Sequence, residues 1–499
     1  MPFPKPPLLL VILILFTALG LTSCADTSRQ KITLPPVTDP PIPQTVFGEA
    51  TLTTGNNSNP ALNFPKVPDD RPLTLDECLN IAQRVSPSLD SVDQAQMKAM
   101  WNRWQSITAF LPTASTSYST TKYDDLANTS HANAQSVSGL TQYTWQTAVT
   151  QPLFTGGKNM ASYLLAQLGM AEADIKKFQA REDLLLKVKQ TYFSILASEK
   201  ALEVAKTSVV NIKNHLNVAT NFFNVGMASK NQVLEAEVEL AKAVQNENTL
   251  SRDLMVNKAQ LNILLHRVVG DPIQIVDTLK FTPFPLTLDQ CLIAGLNDRP
   301  EIKLGHNQVK ASAKNIDLAK ANLYPQVDLV YTNTSLGNTP KAHGGWSNND
   351  SNWSVSTIAS INFWEWGRTK AEVEKSKVEL NRSLNVLASL EDNTKLDITT
   401  NYHQLISAGL NIDVSAKAVI AAAEDLRMVN ERYLEQMATN TDVLDSQTRY
   451  SQVQYDYYNA LYSYNLAWAT LERSLGRKVV AASPDNNQPD HQSATVQPG

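Results

Sequence analysis

Two stretches of this chain contain no proline, 153–271 and 341–483, and each carries an apolar residue at every seventh position through six repeats. In the first these are Val188, Ile195, Leu202, Val209, Leu216 and Phe223; in the second, Ile398, Leu405, Ile412, Val419, Leu426 and Tyr433, each 210 positions later. The residues three further on are often small, as at Ser198, Ala205, Ala219, Ala408, Ser415 and Ala422. A heptad repeat sustained this long predicts a long helix in a coiled-coil seam, with small residues letting a neighbour approach. The first such helix is expected over 158–223, about 100 Å at ~1.5 Å per residue, followed by a helix over 231–266 of about 55 Å. A third, over 88–110, adds about 35 Å, so two shorter helices end to end match the long one.

The 210-residue echo belongs to a larger duplication. "LTLDECLNIAQRVSPSL" from Leu73 returns as "LTLDQCLIAGLNDRPEI" from Leu286, Pro87 falling on Pro300 and Pro112 on Pro325. "QPLFTGGKNMA" then meets "INFWEWGRTKA", pairing Gly157 and Lys158 with Gly367 and Arg368. Units of roughly 200 residues are too long for a solenoid repeat, so the chain reads as one fold of two similar halves, 73–272 and 286–478.

At the other end of the long helices the period changes from seven to two. "WSVSTIASINF" from Trp353 alternates Trp353, Val355, Thr357, Ala359, Ile361 and Phe363 against polar residues, and "YTWQTAV" does so with Tyr143, Trp145, Thr147 and Val149. Their expected partners follow Pro112 and Pro325, giving hairpins over about 112–152 and 325–363 with polar loops at 122–140 and 335–351. Strands of about ten residues with aromatic ends have the length of tilted strands crossing an outer membrane, although a soluble half-buried hairpin alternates in the same way. Four strands cannot close a barrel, and an open sheet in lipid leaves backbone groups unpaired, so membrane-spanning strands require several chains to pool them.

The N-terminus places the chain outside the cytoplasm. Lys5 precedes an apolar run from Leu8 to Leu21, too short for a bilayer span and suited to a signal peptide, expected as 1–23. The run ends in "LTSC", which resembles the bacterial lipobox and makes Cys24 the expected lipidated first residue of the mature chain; an ordinary signal cleavage nearby is the alternative. Residues 24–72 are rich in Pro, Thr and Asn and read as an extended segment, and 479–499 as a disordered tail. Cys78 and Cys291 are too few and too separated for a disulfide framework and read as buried thiols. The formal net charge of −5 gives no reason to expect nucleic acid. The histidines are scattered, with no HExxH, no Cys/His metal spacing and no glycine-rich phosphate loop, so neither an enzyme nor a cofactor is expected.

Taken together, "LTSC", the two "LTLD" openings, the entries "FLPTAS" and "NLYPQV", "QPLFTGGK" with "FWEWGRTK", and the turns "NVGMASKNQVLEAEVEL" and "EQMATNTDVLDSQTRY" resemble the TolC-like outer-membrane efflux protein family in its lipoprotein branch. The resemblance covers about 73–478, in both copies. It implies an α+β membrane protein: a trimeric 12-stranded outer-membrane β-barrel, four strands per chain, continued by a long α-helical coiled-coil periplasmic tunnel. It further implies a homotrimer in the Gram-negative outer membrane, anchored in outer-membrane lipid, that serves as the exit duct of a tripartite efflux pump. Its partners would be a periplasmic adaptor (membrane fusion) protein and an inner-membrane transporter, and its cargo drugs or other small molecules. The competing functions are a channel for one-step (type I) protein secretion, metal-ion efflux, or a periplasmic coiled-coil scaffold lipoprotein.

The same resemblance assigns residues. Asp442 and Asp445 fall on the family's "DVLD" constriction; three apart, they share a helix face, and threefold symmetry would make a ring of carboxylates that favours cations and raises some of their pKa values. Helix capping competes for the same residues. Thr439 with Asp442 reads as a capping box and Ser229 with Gln232 as its counterpart, while Glu235, the equivalent of Asp445, reads as an ordinary exposed acid. Adaptor docking is expected at the turns, on Gly226, Met227, Ala228 and Ser229 and on Met437, Ala438 and Thr439. The family's tip glycine is kept at Gly226 and replaced by Gln436, its basic latch residue is Ala438 here, and Tyr433 occupies a heptad core position.

Overall fold

The threonine that opens each "LTLD" segment sets the first helix of each copy. In the computed structural model, which describes residues 71–122, 141–337, 339–342 and 351–479, Thr74 and Glu77 close a capping box on α1 (Leu75–Val85). Proline then starts α2 (Pro87–Thr108) at its first turn, where a missing N–H costs nothing. Strands β1 (Thr113–Lys122) and β2 (Thr141–Thr155) follow, then the long α3 (Lys158–Asn224) and α4 (Lys230–Leu264). The second copy repeats the order. Thr287 and Gln290 cap α5 (Leu288–Asp298), and Pro300 opens α6 (Pro300–Lys320), which runs through a 3-10 turn into β3 (Gln326–Gly337). Then come β4 (Ser351–Ser360), α7 (Arg368–Leu434) and α8 (Asn440–Leu475).

The two long helices have 67 residues each, ~100 Å. Alongside α3 lie α2 and α4, and alongside α7 lie α6 and α8, so the shorter helices together match the long one as expected. The expected signal peptide, the expected lipidation site Cys24 and nearly all of the segment expected to be extended, most of the two loops, and the tail beyond Val479 lie outside the described residues.

The strands form one antiparallel sheet in the order β1-β2-β3-β4. The two hairpins match the alternation; the β2–β3 pairing that joins the copies is new information. β4 ends at Ser360, short of the expected Phe363, because its last partner is Gln326 and the next residue, Pro325, has no N–H to continue the ladder. β2 runs on to Thr155 across a register shift at Pro152–Phe154, where proline again removes a donor. Gly156, at φ +63°, then turns the chain against the second copy: a Cβ there would press on the Ala321 carbonyl and on Tyr324 Cβ at 2.9 Å.

Two related cores fill the middle of the rod. One gathers Cys78 and Ala82 of α1, Val188, Tyr192 and Ile195 of α3, and Leu261 of α4. The other gathers Cys291 and Ala294 of α5, Ile398 and Leu405 of α7, and Leu471 of α8. Both thiols are fully buried, and burial pushes the Cys78 thiol up to about 12, so neither is a reactive group. The Tyr192 hydroxyl donates to the Val276 carbonyl at 2.6 Å and lies 3.1 Å from that of Leu73, tying down the chain that enters and leaves copy one.

The copies are clasped by charge. Arg473 of α8 reaches Asp183 of α3 at 2.6 Å and Glu301 of α6 at 2.8 Å, Arg299 joins Glu301 to Asp397 of α7, and Lys189 pairs with Glu472. Towards the far end of α3 the seam is less covered, Val209 and Leu216 being half-buried and Phe223 exposed, whereas on α7 Val419 and Leu426 are half-buried and Tyr433 at the end is buried. On α7, Ile406, Leu410, Val414 and Ile420 form an apolar stripe open to solvent in the single chain.

Candidate functional site at the hairpin ends

Both long helices end in the same turn. At the first, the N–H of Met227 bonds the Phe222 carbonyl at 2.7 Å and that of Gly226 bonds Phe223 at 3.0 Å. At the second, Met437 bonds Arg432 at 2.7 Å and Gln436 bonds Tyr433 at 3.0 Å. This is a Schellman ending, which needs a left-handed residue just past the helix; Gly226 (φ +78°) and Gln436 (φ +59°) fill it. The backbone is therefore kept where the glycine is lost, with glutamine carrying a left-handed cost of about 1–2 kcal/mol that glycine escapes.

The turns lie ~100 Å along the helix from the sheet. Gly226, Met227, Ser229, Met437 and Thr439 are exposed and Ala228 and Ala438 are half-buried, so every residue expected to meet a partner is reachable in the single chain. Arg432 holds the second turn by donating to the Met437 carbonyl at 3.4 Å.

Of the two expected capping boxes, one forms. Thr439 Oγ1 accepts from the Asp442 N–H at 3.2 Å, and the Asp442 carboxylate accepts from the Thr439 N–H at 2.8 Å. Ser229 makes no such bond; the Gln232 N–H goes to the Ser229 backbone carbonyl instead, so the Ser229–Gln232 box is a sequence pattern without a structure. The backbone and side-chain hydrogen bonds with Thr439 also hold the Asp442 carboxyl below the usual carboxylate range, opposing the upward pull expected from crowding. Asp445 lies one turn on, exposed like Asp442, while Val443, Leu444, Ser446 and Gln447 turn inward. The two carboxylates thus share an outward face, one committed to the helix end and the other not.

Glu235 is no ordinary exposed acid. It is half-buried and accepts from Asn231 at 2.6 Å and from Asn440, on the other hairpin, at 3.2 Å. Asn440 in turn faces His215 of α3 at 2.7 Å. Sequence reasoning misses His215 and Asn440 and reads Glu235 as an exposed acid, because no local pattern links three residues on three helices. The one available signal is Asn440 itself, an amide directly after the helix cap. Among the described residues no three His, Cys, Asp or Glu side chains gather as a metal site.

The model of the family described as outer membrane efflux protein matches residues 78–265 and 294–477, one stretch in each copy. The chain is 22% identical over 343 residues to the outer membrane protein TolC of Escherichia coli (strain K12), across 66% of this chain and 68% of that one. To the outer membrane efflux protein BepC of Brucella suis it is 21% identical over 316 residues, across 62% and 68%. Among solved structures, the outer membrane protein VceC of Vibrio cholerae superposes with a TM-score of 0.71 at 16% identity, over 81% of this chain and 96% of that one. The open state of the Neisseria gonorrhoeae MtrE outer membrane channel gives 0.68 at 17% identity, over 81% and 89%. The structural likeness concerns the fold.

Proposed function

The chain belongs to the outer membrane efflux protein family, and on that footing we propose that it is the outer-membrane exit duct of a tripartite efflux pump. Three copies carry cargo from an adaptor and inner-membrane transporter to the exterior.

The observation that carries this reading is a four-stranded sheet with two open edges at the end of two ~100 Å hairpins. Among the described residues β1 pairs only with β2 and β4 only with β3. Edges of this kind are untenable in lipid unless the edge of one chain pairs with that of the next, and three copies close twelve strands, wider than a barrel filled by its own side chains. The aromatic bands support a membrane position. Tyr118 and Trp145 pack edge to face on one level, while Leu153 and Phe154 are exposed on another. From Trp145 to Phe154 is ~30 Å along the strand, or ~23 Å along the membrane normal at a ~40° tilt, the height of an outer-membrane apolar band. Phe363, Trp364 and Trp366, all strongly exposed, supply an interfacial girdle beside the helices. The apolar stripe on α7 is the kind of surface a neighbouring copy covers along the tunnel.

In this reading the duct has no chemistry of its own. Its closed end is the pair of Schellman turns, which offer exposed methionines and open backbone to an adaptor's helical tip, and the outward carboxylates Asp442 and Asp445 set the charge of the opening. Cys24 carries the lipid in the inner leaflet. The test is mass and conductance of the detergent-extracted full-length protein. A trimer that opens cation-selective channels in planar bilayers is expected; a folded monomer with no channel activity returns the chain to the scaffold reading.

A further inference from the structure

Asn440 is the first residue of α8 and is 1% exposed, an unusual place to bury an amide. Both ends of the side chain are used. Its Nδ2 donates to Glu235 of α4 at 3.2 Å, and its Oδ1 faces His215 Nε2 of α3 at 2.7 Å. One residue at the tip of the second hairpin is thereby bolted to both helices of the first. The next polar link between the hairpins, Asn211 to Gln447, is a long one at 3.4 Å. The Tyr433 ring of α7 stands 5.0 Å from the imidazole, and a cavity of about 320 Å³ opens beside them. Apart from His215 that cavity is lined by uncharged side chains, and the buried Tyr433 hydroxyl has no partner among the described residues.

We propose that His215, Asn440 and Glu235 form a proton-sensitive latch, which holds the tip of the second hairpin against the first and releases it when the compartment around the tip acidifies. The inference that release opens a duct rests on the function proposed above; the latch itself rests on the contacts.

In the neutral imidazole an Nε2–H donates to Asn440 and the chain of bonds ends on the Glu235 carboxylate. Protonation keeps that bond but places a full charge on a half-buried ring. The groups facing it are the Tyr433 ring from α7, the Asn440 amide from α8 and, beyond that amide, the single carboxylate of Glu235 from α4. Burial pushes the imidazole's pKa down, and the bond to Asn440 offsets this only in part. A histidine depressed in the latched state binds fewer protons there than when released. The latch is therefore at full strength above the free value of about 6.5 and weakens as pH falls below it. Whatever the depth of the depression, the loss one pH unit below the free value is at most about tenfold in the closed-to-open ratio per protomer.

The experiment is hydrogen exchange on the purified full-length protein at about pH 7.5 and about pH 5.5, corrected for intrinsic rates and read over 436–450, with bilayer conductance on the same samples. The wild type should lose protection severalfold, up to about tenfold, on the acid step. His215→Gln keeps a side-chain N–H donor and cannot titrate, so it should hold its protection at both values. Asn440→Ala takes the bond from half-buried His215 and one of two from half-buried Glu235, and should be less protected by roughly tenfold at neutral pH already. Glu235→Gln keeps an acceptor but removes the one opposing charge, so its acid loss should exceed the wild type's; this variant keeps the test intact should a tip variant fold poorly. Equal acid losses in the wild type and His215→Gln, or an Asn440→Ala tip as protected as the wild type, overturn the latch. Protection that responds as described without current in any sample upholds the latch and sinks the duct reading. Protection and current whose acid responses both match the wild type's in His215→Gln sink the latch and leave the duct.

Discussion

Arg473→Met tests whether the charge clasp at the middle of the rod holds the two copies together. The guanidinium is 12% exposed and serves two carboxylates, Asp183 of α3 and Glu301 of α6. Losing one partner of a buried pair costs about 3–5 kcal/mol. That figure needs reduction here, because Asp183 is 53% exposed and solvent replaces its share, and because Glu301 keeps Arg299 at 3.1 Å. The expected destabilisation is about 2 kcal/mol. Its pH dependence follows from Glu301. Burial alone pushes that carboxyl up, but the hydrogen bonds from Arg473 and the backbone, with the charges of Arg473 and Arg299, outweigh it and hold the carboxyl below its usual range. A depressed carboxyl stabilises the fold above its free value near ~4.3 and loses that contribution as pH falls through the folded value. Arg473→Met removes part of that contribution, so the gap between variant and wild type is widest at neutral pH and narrows below about pH 4. Thermal unfolding of the detergent-solubilised protein, followed by helical circular dichroism at about pH 7 and about pH 3.5, reads both effects. Equal midpoints at neutral pH, or a gap that widens on acidification, would refute the reasoning.

Three further outcomes follow from the structure. Asp442→Ala removes half of a capping box, so exchange in the first turn of α8 should quicken, whereas Asp445→Ala should leave exchange unchanged and alter only the reversal potential of the channel; identical effects on exchange would contradict the division of roles. Gly156→Ala meets both a left-handed backbone, worth about 1–2 kcal/mol, and the Ala321 carbonyl, while Gly157→Ala meets only the first. The yield of detergent-stable oligomer should accordingly fall further for Gly156→Ala. Tyr192→Phe leaves the Val276 carbonyl without its buried donor, while the Leu73 carbonyl keeps the Val276 N–H, and should cost about 1–2 kcal/mol of stability in the same melting assay.

The expected and observed helices agree closely where a repeat encodes them. The long helix is expected from Lys158, and it begins there because left-handed Gly157 ends the strand connection. Phe363 was placed in a strand on the strength of alternation alone, and the ladder stops at Ser360 because the limit lies in the partner strand, at Pro325. Ser229 and Thr439 are equivalent in pattern, yet only Thr439 closes a box, and Glu235 and Asp445 are equivalent in position, yet only Glu235 is drawn into the packing between hairpins.

Sequence by itself determined the period of each segment, hence its helix or strand character and its apolar face, and the duplication. These are local or repeated properties, written in the spacing of side chains along one backbone. Only the tertiary structure decided which faces meet: β2 on β3 across the two copies, Arg473 between Asp183 and Glu301, and Asn440 between His215 and Glu235. A polar side chain gives the same signal in sequence whether it faces water or a partner more than 200 residues away. Its energy, and so its role, is fixed by the dielectric and the neighbours that packing brings to it.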